Sequence, residues 1–140
     1  MTVEISNTFE KGVRLPRRKT LSFLRGLPFE KMARAALPKD YQLSLVICGD
    51  ALAQKMNVQY RKKTYEPNVL SFPLSKKEGE IFLNVRKAVR EARSMRVSLN
   101  ARAAHLFVHG CFHLAGLNHG KKMDALEQKV LAKFGFSISP

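Results

Sequence analysis

The stretch His109-Gly110-Cys111-Phe112-His113-Leu114-Ala115-Gly116-Leu117-Asn118-His119 constrains this chain more than any other. It holds three of the four histidines. His109 and His113 are four apart, so on a helix they stack on one face, about 6 Å apart along the axis. Gly116 tolerates the left-handed backbone that commonly ends a helix. A turn there swings His119 back toward the first two. Three imidazoles converging on one point leave the fourth position of a tetrahedral ion open for water, which is the arrangement of a catalytic zinc-type site.

The same spacing occurs in the metzincin proteases, where the first histidine is followed by a glutamate that serves as general base. Here that position is Gly110, so metal ligation is kept and the glutamate-driven peptidase mechanism is not. Two histidines at helical spacing are often no more than satisfied polar groups on a helix face. Three around a glycine turn favour a metal, since Gly110 costs a helix interior about 1 kcal/mol relative to alanine. The ion expected is a divalent transition metal, zinc first, although imidazoles also suit nickel, copper and iron. His105 lies one turn before His109, but it stands about 12 Å along the helix from His113 and cannot share one ion with both. It reads as a hydrogen-bonded packing histidine, with a supporting place behind the ligands as the alternative.

Charge bounds the partner. The 140 residues carry 25 Lys and Arg against 11 Asp and Glu, a net +14 with a pI near 10.3. A domain this basic points to an anionic partner, nucleic acid before a membrane surface. No apolar run reaches membrane-spanning length and no signal-peptide core is visible. Cys48 and Cys111 sit in apolar surroundings without framework spacing and read as reduced core thiols, which suits the cytoplasm. The length and the 45% apolar content suit one domain over residues 1–140.

The pattern along the chain predicts strands at 2–7, 41–48, 69–73 and 80–84. Pro73 is expected to close the third. Helical spacing covers a broken segment from Pro16 to Pro38, whose start carries Arg14, Arg17, Arg18 and Lys19. Further helices are expected at 51–61 with Asp50 as cap, at 86–95, from a cap at Ser98 or Asn100 through the histidines, and at 123–134. The histidine helix is apolar almost all round, so it is expected to be the buried central one. Four strands and about five helices in mixed order indicate an α+β domain with a mixed sheet. Arg61, Lys62 and Lys63 end one helix, where cations also suit the macrodipole. Arg86 and Arg90 lie on the charged face of the next, open to phosphate contact or to solvent.

With these pieces in place, the sequence resembles the YbeY family of bacterial rRNA-maturation endoribonucleases. The family signature H-G-x-L-H-L-x-G-[YF]-D-H is met by His109, Gly110, His113, Leu114, Gly116 and His119. Its N-x-x-[YF]-R segment is met by Asn57, Tyr60 and Arg61, its T-D-V-L-S-F-P segment from Val69 to Pro73, and its G-D-I by Gly79, Glu80 and Ile81. The resemblance implies a zincin-like α+β fold, a metal held by His109, His113 and His119, and cleavage of single-stranded RNA in rRNA processing, with the ribosome or its small subunit as partner. It makes Arg61 the cleft arginine that meets phosphate. Asn118 and Asn68 stand where the family has aspartate, and Leu117 replaces its aromatic. An amide hydrogen-bonds a neighbour but takes no proton at neutral pH.

The mechanism expected is metal-assisted hydrolysis of an RNA phosphodiester. The planar fork of Arg61 stabilises charge on phosphate, Arg61, Lys62, Lys63, Arg86 and Arg90 bind the strand, and Asn118 supports a ligand. Glu80 is the nominated general base, against its reading as a surface acid at a strand edge. Two other classes stay open: an RNA- or ribosome-binding assembly factor with little cleavage, and a basic binding module with a closed, structural metal site.

Overall fold

The computed structural model describes residues 1–7, 24 and 26–136. The basic cluster at Arg14, Arg17, Arg18 and Lys19, with the start of the broken helix, lies outside them. The described elements are β1 (Thr2–Asn7), α1 (Phe29–Arg34), β2 (Gln42–Cys48), α2 (Asp50–Arg61), β3 (Val69–Ser75), β4 (Glu78–Asn84), α3 (Val85–Met95), α4 (Leu99–Leu114) and α5 (Lys121–Lys133). The expected α+β class with a mixed four-stranded sheet is what is observed.

The sheet runs β1-β2-β4-β3, with β1, β2 and β4 parallel and β3 antiparallel to β4. The central strands β2 and β4 are buried on both faces, which is why Leu43 to Cys48 and Ile81 to Asn84 read as near-continuous apolar runs. Side chains alternate between the faces. Leu43, Leu45, Ile47, Ile81 and Leu83 pack with α1, α4 and α5 on one side. Val46, Cys48, Leu70 and Phe82 pack with Ala53, Leu52 and Met56 of α2 on the other. β3 continues past Pro73 to Ser75, with a register shift between those two residues. The proline is tolerated because β3 is an edge strand.

The histidine helix α4 is the central one. Ala103, Ala104, Phe107, Val108 and Cys111 are fully buried along it. Ser98 caps it, its Oγ accepting from the Ala101 amide at 3.0 Å. Asp50 does not cap α2: Gly49 holds that position, and the Asp50 carboxylate is forked by Arg90 at 2.8 and 2.9 Å. The glycine inside α4 has a reason. A Cβ on Gly110 would stand 2.9 Å from Ser71 Oγ and 3.1 Å from Ile81 Cδ1. Ser71 Oγ donates to the Gly110 carbonyl at 3.0 Å. Gly110 thus lets the helix sit directly on β3 and β4, and the lost helix propensity is offset by packing.

Candidate metal centre

α4 ends where the sequence places the turn. Gly116 has φ +94°, the Leu117 amide donates to the Phe112 carbonyl at 3.0 Å, and the Gly116 amide to the His113 carbonyl at 2.9 Å. These two bonds form a Schellman motif. The chain reverses and returns His119 to the other imidazoles. His113 Nε2 lies 3.0 Å from His109 Nε2 and 3.1 Å from His119 Nε2. The ligand atoms of all three residues lie within 4.8 Å of one another.

The outer ring nitrogens decide what this cluster can do. His109 Nδ1 faces Glu127 Oε2 at 2.6 Å, and His113 Nδ1 faces the Leu117 carbonyl oxygen at 3.1 Å. Both partners only accept, so each Nδ1 carries the proton and donates it. In the neutral rings, each Nε2 is then left with a bare lone pair. Two lone pairs at 3.0 Å have no proton to share, and the arrangement calls for a cation between them. Tetrahedral zinc with bonds of about 2.05 Å would separate two nitrogens by about 3.3 Å, close to what is seen. Burial, followed by the neighbouring His109 and His119, lowers the His113 pKa and keeps that ring neutral and able to ligate. The residues therefore fit a divalent ion.

Glu127 is the functional residue the sequence reading missed. It is 2% exposed on α5, in the inward stripe with Met123, Val130 and Leu131. An acid in an apolar stripe was the available signal. Burial pushes its pKa up, but hydrogen bonds from His105 and His109 outweigh that and hold it at about 2. His105 Nε2 donates to Glu127 Oε1 at 3.1 Å, and Arg102 Nη1 donates to His105 Nδ1 at 3.1 Å. His105 thus joins its two readings: it is a packed, hydrogen-bonded histidine, and its bond supports the carboxylate that orients His109. Arg102 also grips Glu91 Oε1, at 3.0 Å from Nε and 2.9 Å from Nη2. Asn68 Nδ2 donates to both Glu91 oxygens, at 3.3 and 3.2 Å. An aspartate at position 68 would instead set two carboxylates against each other.

The three histidines open into a cavity of about 600 Å³ that Arg61, Tyr65, Lys87 and Glu91 also line. Arg61 reaches it from the last turn of α2. Six other residues expected at the site do not line this cavity. Glu80 is not at the site: it alternates with Ile81, which meets α4, so its side chain leaves the opposite face of the sheet. Arg90 is committed to Asp50, at the far end of α2 from Arg61, roughly 17 Å along the helix. Arg86 lies beside Gly49 at that same end, and Lys87 is the α3 cation that lines the cavity. Asn118 is exposed and hydrogen-bonds no described residue, so the ligands are oriented by Glu127 and the Leu117 carbonyl instead. Lys62, which adopts the left-handed conformation ending α2, and Lys63 are exposed and lie outside the cavity lining. No helix among the described residues is long and apolar enough to cross a membrane.

Fold and site together define a protein class in which a helix and its terminal turn present three imidazoles to a cationic cavity. The family described as Endoribonuclease YbeY matches residues 7–135, and the chain belongs to that family. It is similar to the Endoribonuclease YbeY of Aromatoleum aromaticum, 37% identical over 114 residues, covering 76% of this chain and 74% of that one. The protein of that name from Methylobacillus flagellatus is 34% identical over 116 residues, covering 77% and 78%. The one from Pseudomonas entomophila is 35% identical over 109 residues, covering 69% of each. Among solved structures, the solution structure of TM1509 from Thermotoga maritima shares the fold, with a TM-score of 0.61 at 21% identity over 96% of this chain and 92% of that one.

Proposed function

We propose that residues 1–140 act as one domain, a metal-dependent endoribonuclease that cleaves single-stranded RNA in rRNA maturation, in the cytoplasm and on the small ribosomal subunit or its precursor. The observation that carries this reading is the convergence of three Nε2 atoms, two of them on rings whose Nδ1 protons are already given away, at the wall of a cavity that Arg61 and Lys87 line. The relatives carry the name endoribonuclease, and the net +14 suits a polyanionic substrate.

A bound ion would supply Lewis acidity, acidifying water and polarising a phosphoryl oxygen. His109, His113 and His119 would hold it. Arg61 offers a planar fork to phosphate oxygens, and Lys87 adds a second positive charge. Glu91 is the one carboxylate among the described residues that line the cavity, and it replaces Glu80 as the nominated proton acceptor. Asn68 and Arg102 hold it in place, and its Oε2 keeps lone-pair capacity beyond the single Asn68 bond.

The test is cleavage of a single-stranded rRNA fragment by zinc-loaded protein, beside the same strand annealed to its complement. Cleavage of the single strand that disappears with chelator and in His113→Ala supports the reading. Salt-sensitive binding without cleavage in any sample would replace it with an RNA-binding assembly factor.

A further inference from the structure

Tyr65 is an aromatic side chain with no structural task. It is 51% exposed, yet it lines the same cavity as the three histidines and Arg61. Its hydroxyl bonds no other described residue, and its ring contact is the Lys87 ammonium, 6.0 Å from the centroid. Scattered surface aromatics are ordinary. This one is held in place by unusual means.

The carbonyls of five successive residues around it are all tied down. Gln54 Nε2 donates to Thr64 O at 2.8 Å, and Asn57 Nδ2 to Tyr65 O at 3.0 Å. Lys87 Nζ donates to Glu66 O. Asn84 Nδ2 donates to Pro67 O at 3.1 Å, and the Asn84 amide to Asn68 O at 2.9 Å. Asn57 and Asn84 are both fully buried. The loop backbone is therefore fixed against α2, β4 and α3, while the Tyr65 ring stays half in solvent. A ring presented this way loses little conformational freedom when something stacks on it. Tyr60 is as exposed, at 59%, but its ring rests 5.4 Å from that of Phe72 and does not line the cavity.

We propose that Tyr65 is a stacking subsite for one unpaired nucleobase of the strand whose phosphate Arg61 and the metal centre receive. The proposal rests on the RNA-cleaving reading and adds a physical source of strand selectivity. Grooves that bind single strands combine cations with aromatic faces, and every base has a face to offer. In a duplex both faces of each internal base are already covered by its neighbours. A paired strand therefore cannot use Tyr65 without unstacking, whereas a single strand can. The ammonium of Lys87 beside the ring adds a charge that favours the adjoining phosphate.

The experiment measures binding of zinc-loaded protein to a short fluorescein-labelled DNA strand, used as a substrate analogue without the ribose hydroxyl, and to a sugar–phosphate strand of equal length lacking bases. The expected result is tighter binding of the strand with bases. Tyr65→Leu should reduce that preference by about 5- to 150-fold, the range of one stacked base. Tyr65→Phe should keep it, and neither change should alter the salt dependence or the zinc content. Equal binding of the two strands by the unmodified protein, or an undiminished preference in Tyr65→Leu, overturns the stacking subsite alone. Failure to bind either strand or a matching RNA overturns the RNA reading with it.

Discussion

Replacing Glu127 by glutamine tests whether a buried carboxylate sets the chemistry of a histidine ligand. The carboxylate accepts from two rings at once, His109 Nδ1 at 2.6 Å and His105 Nε2 at 3.1 Å. Glutamine keeps the shape but offers one oxygen and one NH2 group. One of the two histidines must then face a donor. If it is His109, that ring shifts its proton to Nε2 and loses the lone pair aimed at the metal. If it is His105, its proton moves to Nδ1 and meets the donating Arg102 Nη1 at 3.1 Å. The first case costs the metal a ligand lone pair, and the second leaves a donor–donor contact beside a side chain only 2% exposed to water. Loss of such a supporting partner typically lowers metal affinity 10- to 100-fold, about 1.4–2.7 kcal/mol. Competition for zinc against a chromophoric chelator at pH 7 measures it. Ring-nitrogen NMR shifts report the His109 tautomer in the same sample. Zinc affinity within about twofold of the unmodified protein, with an unchanged His109 tautomer, would refute the reasoning.

Three further outcomes follow from the packing and the charges. Gly110→Ala should lower the urea midpoint, because the roughly 1 kcal/mol gained in helix propensity is outweighed by crowding against Ser71 and Ile81 that typically costs about 1–3 kcal/mol; an unchanged or higher midpoint would show that β3 yields freely. The Asp50 carboxyl is held below its ordinary value of 3.8, by the Arg90 hydrogen bond first and by Asn84 also, against the opposing effect of burial. A lowered folded pKa contributes stability above the unfolded value that is lost as pH falls through the folded one. Asp50→Asn should therefore cost about 1 kcal/mol at pH 7 and flatten the acid decline below about pH 4, as read from urea midpoints across pH. Burial pushes the Cys48 thiol up to about 12 and raises Cys111 as well, so neither should react with Ellman's reagent at pH 8 until the protein is unfolded.

The metal ligands were legible because their geometry is local. A helix repeat places His109 and His113, and one glycine turn places His119, all within eleven residues. The supporting groups were not legible, because they arrive from elsewhere in the chain. Glu127 comes from the next helix, and Glu91 meets Asn68 across 23 positions. The Glu80 expectation failed on a point that strand alternation half contained. Ile81 and Leu83 point one way, so Glu80 points the other, but only the tertiary structure says which face carries α4. The charged face of α3 has the same ambiguity. Four cations lie along it, and the packing of α3 beside the Tyr65 loop, with Asp50 taking Arg90, selects Lys87 for the cavity. The strand order of the sheet needed the structure too, since β4 inserts between β2 and β3.

The central claim is an open three-histidine centre, and the most direct measurement is zinc K-edge X-ray absorption on the loaded protein. The account expects one zinc per chain, with three imidazole nitrogens at roughly 2.0–2.1 Å and one further oxygen that exchanges with solvent. In His113→Ala the zinc should be lost. Four protein ligands closing the coordination sphere, or full zinc occupancy without His113, would contradict it and make the metal structural.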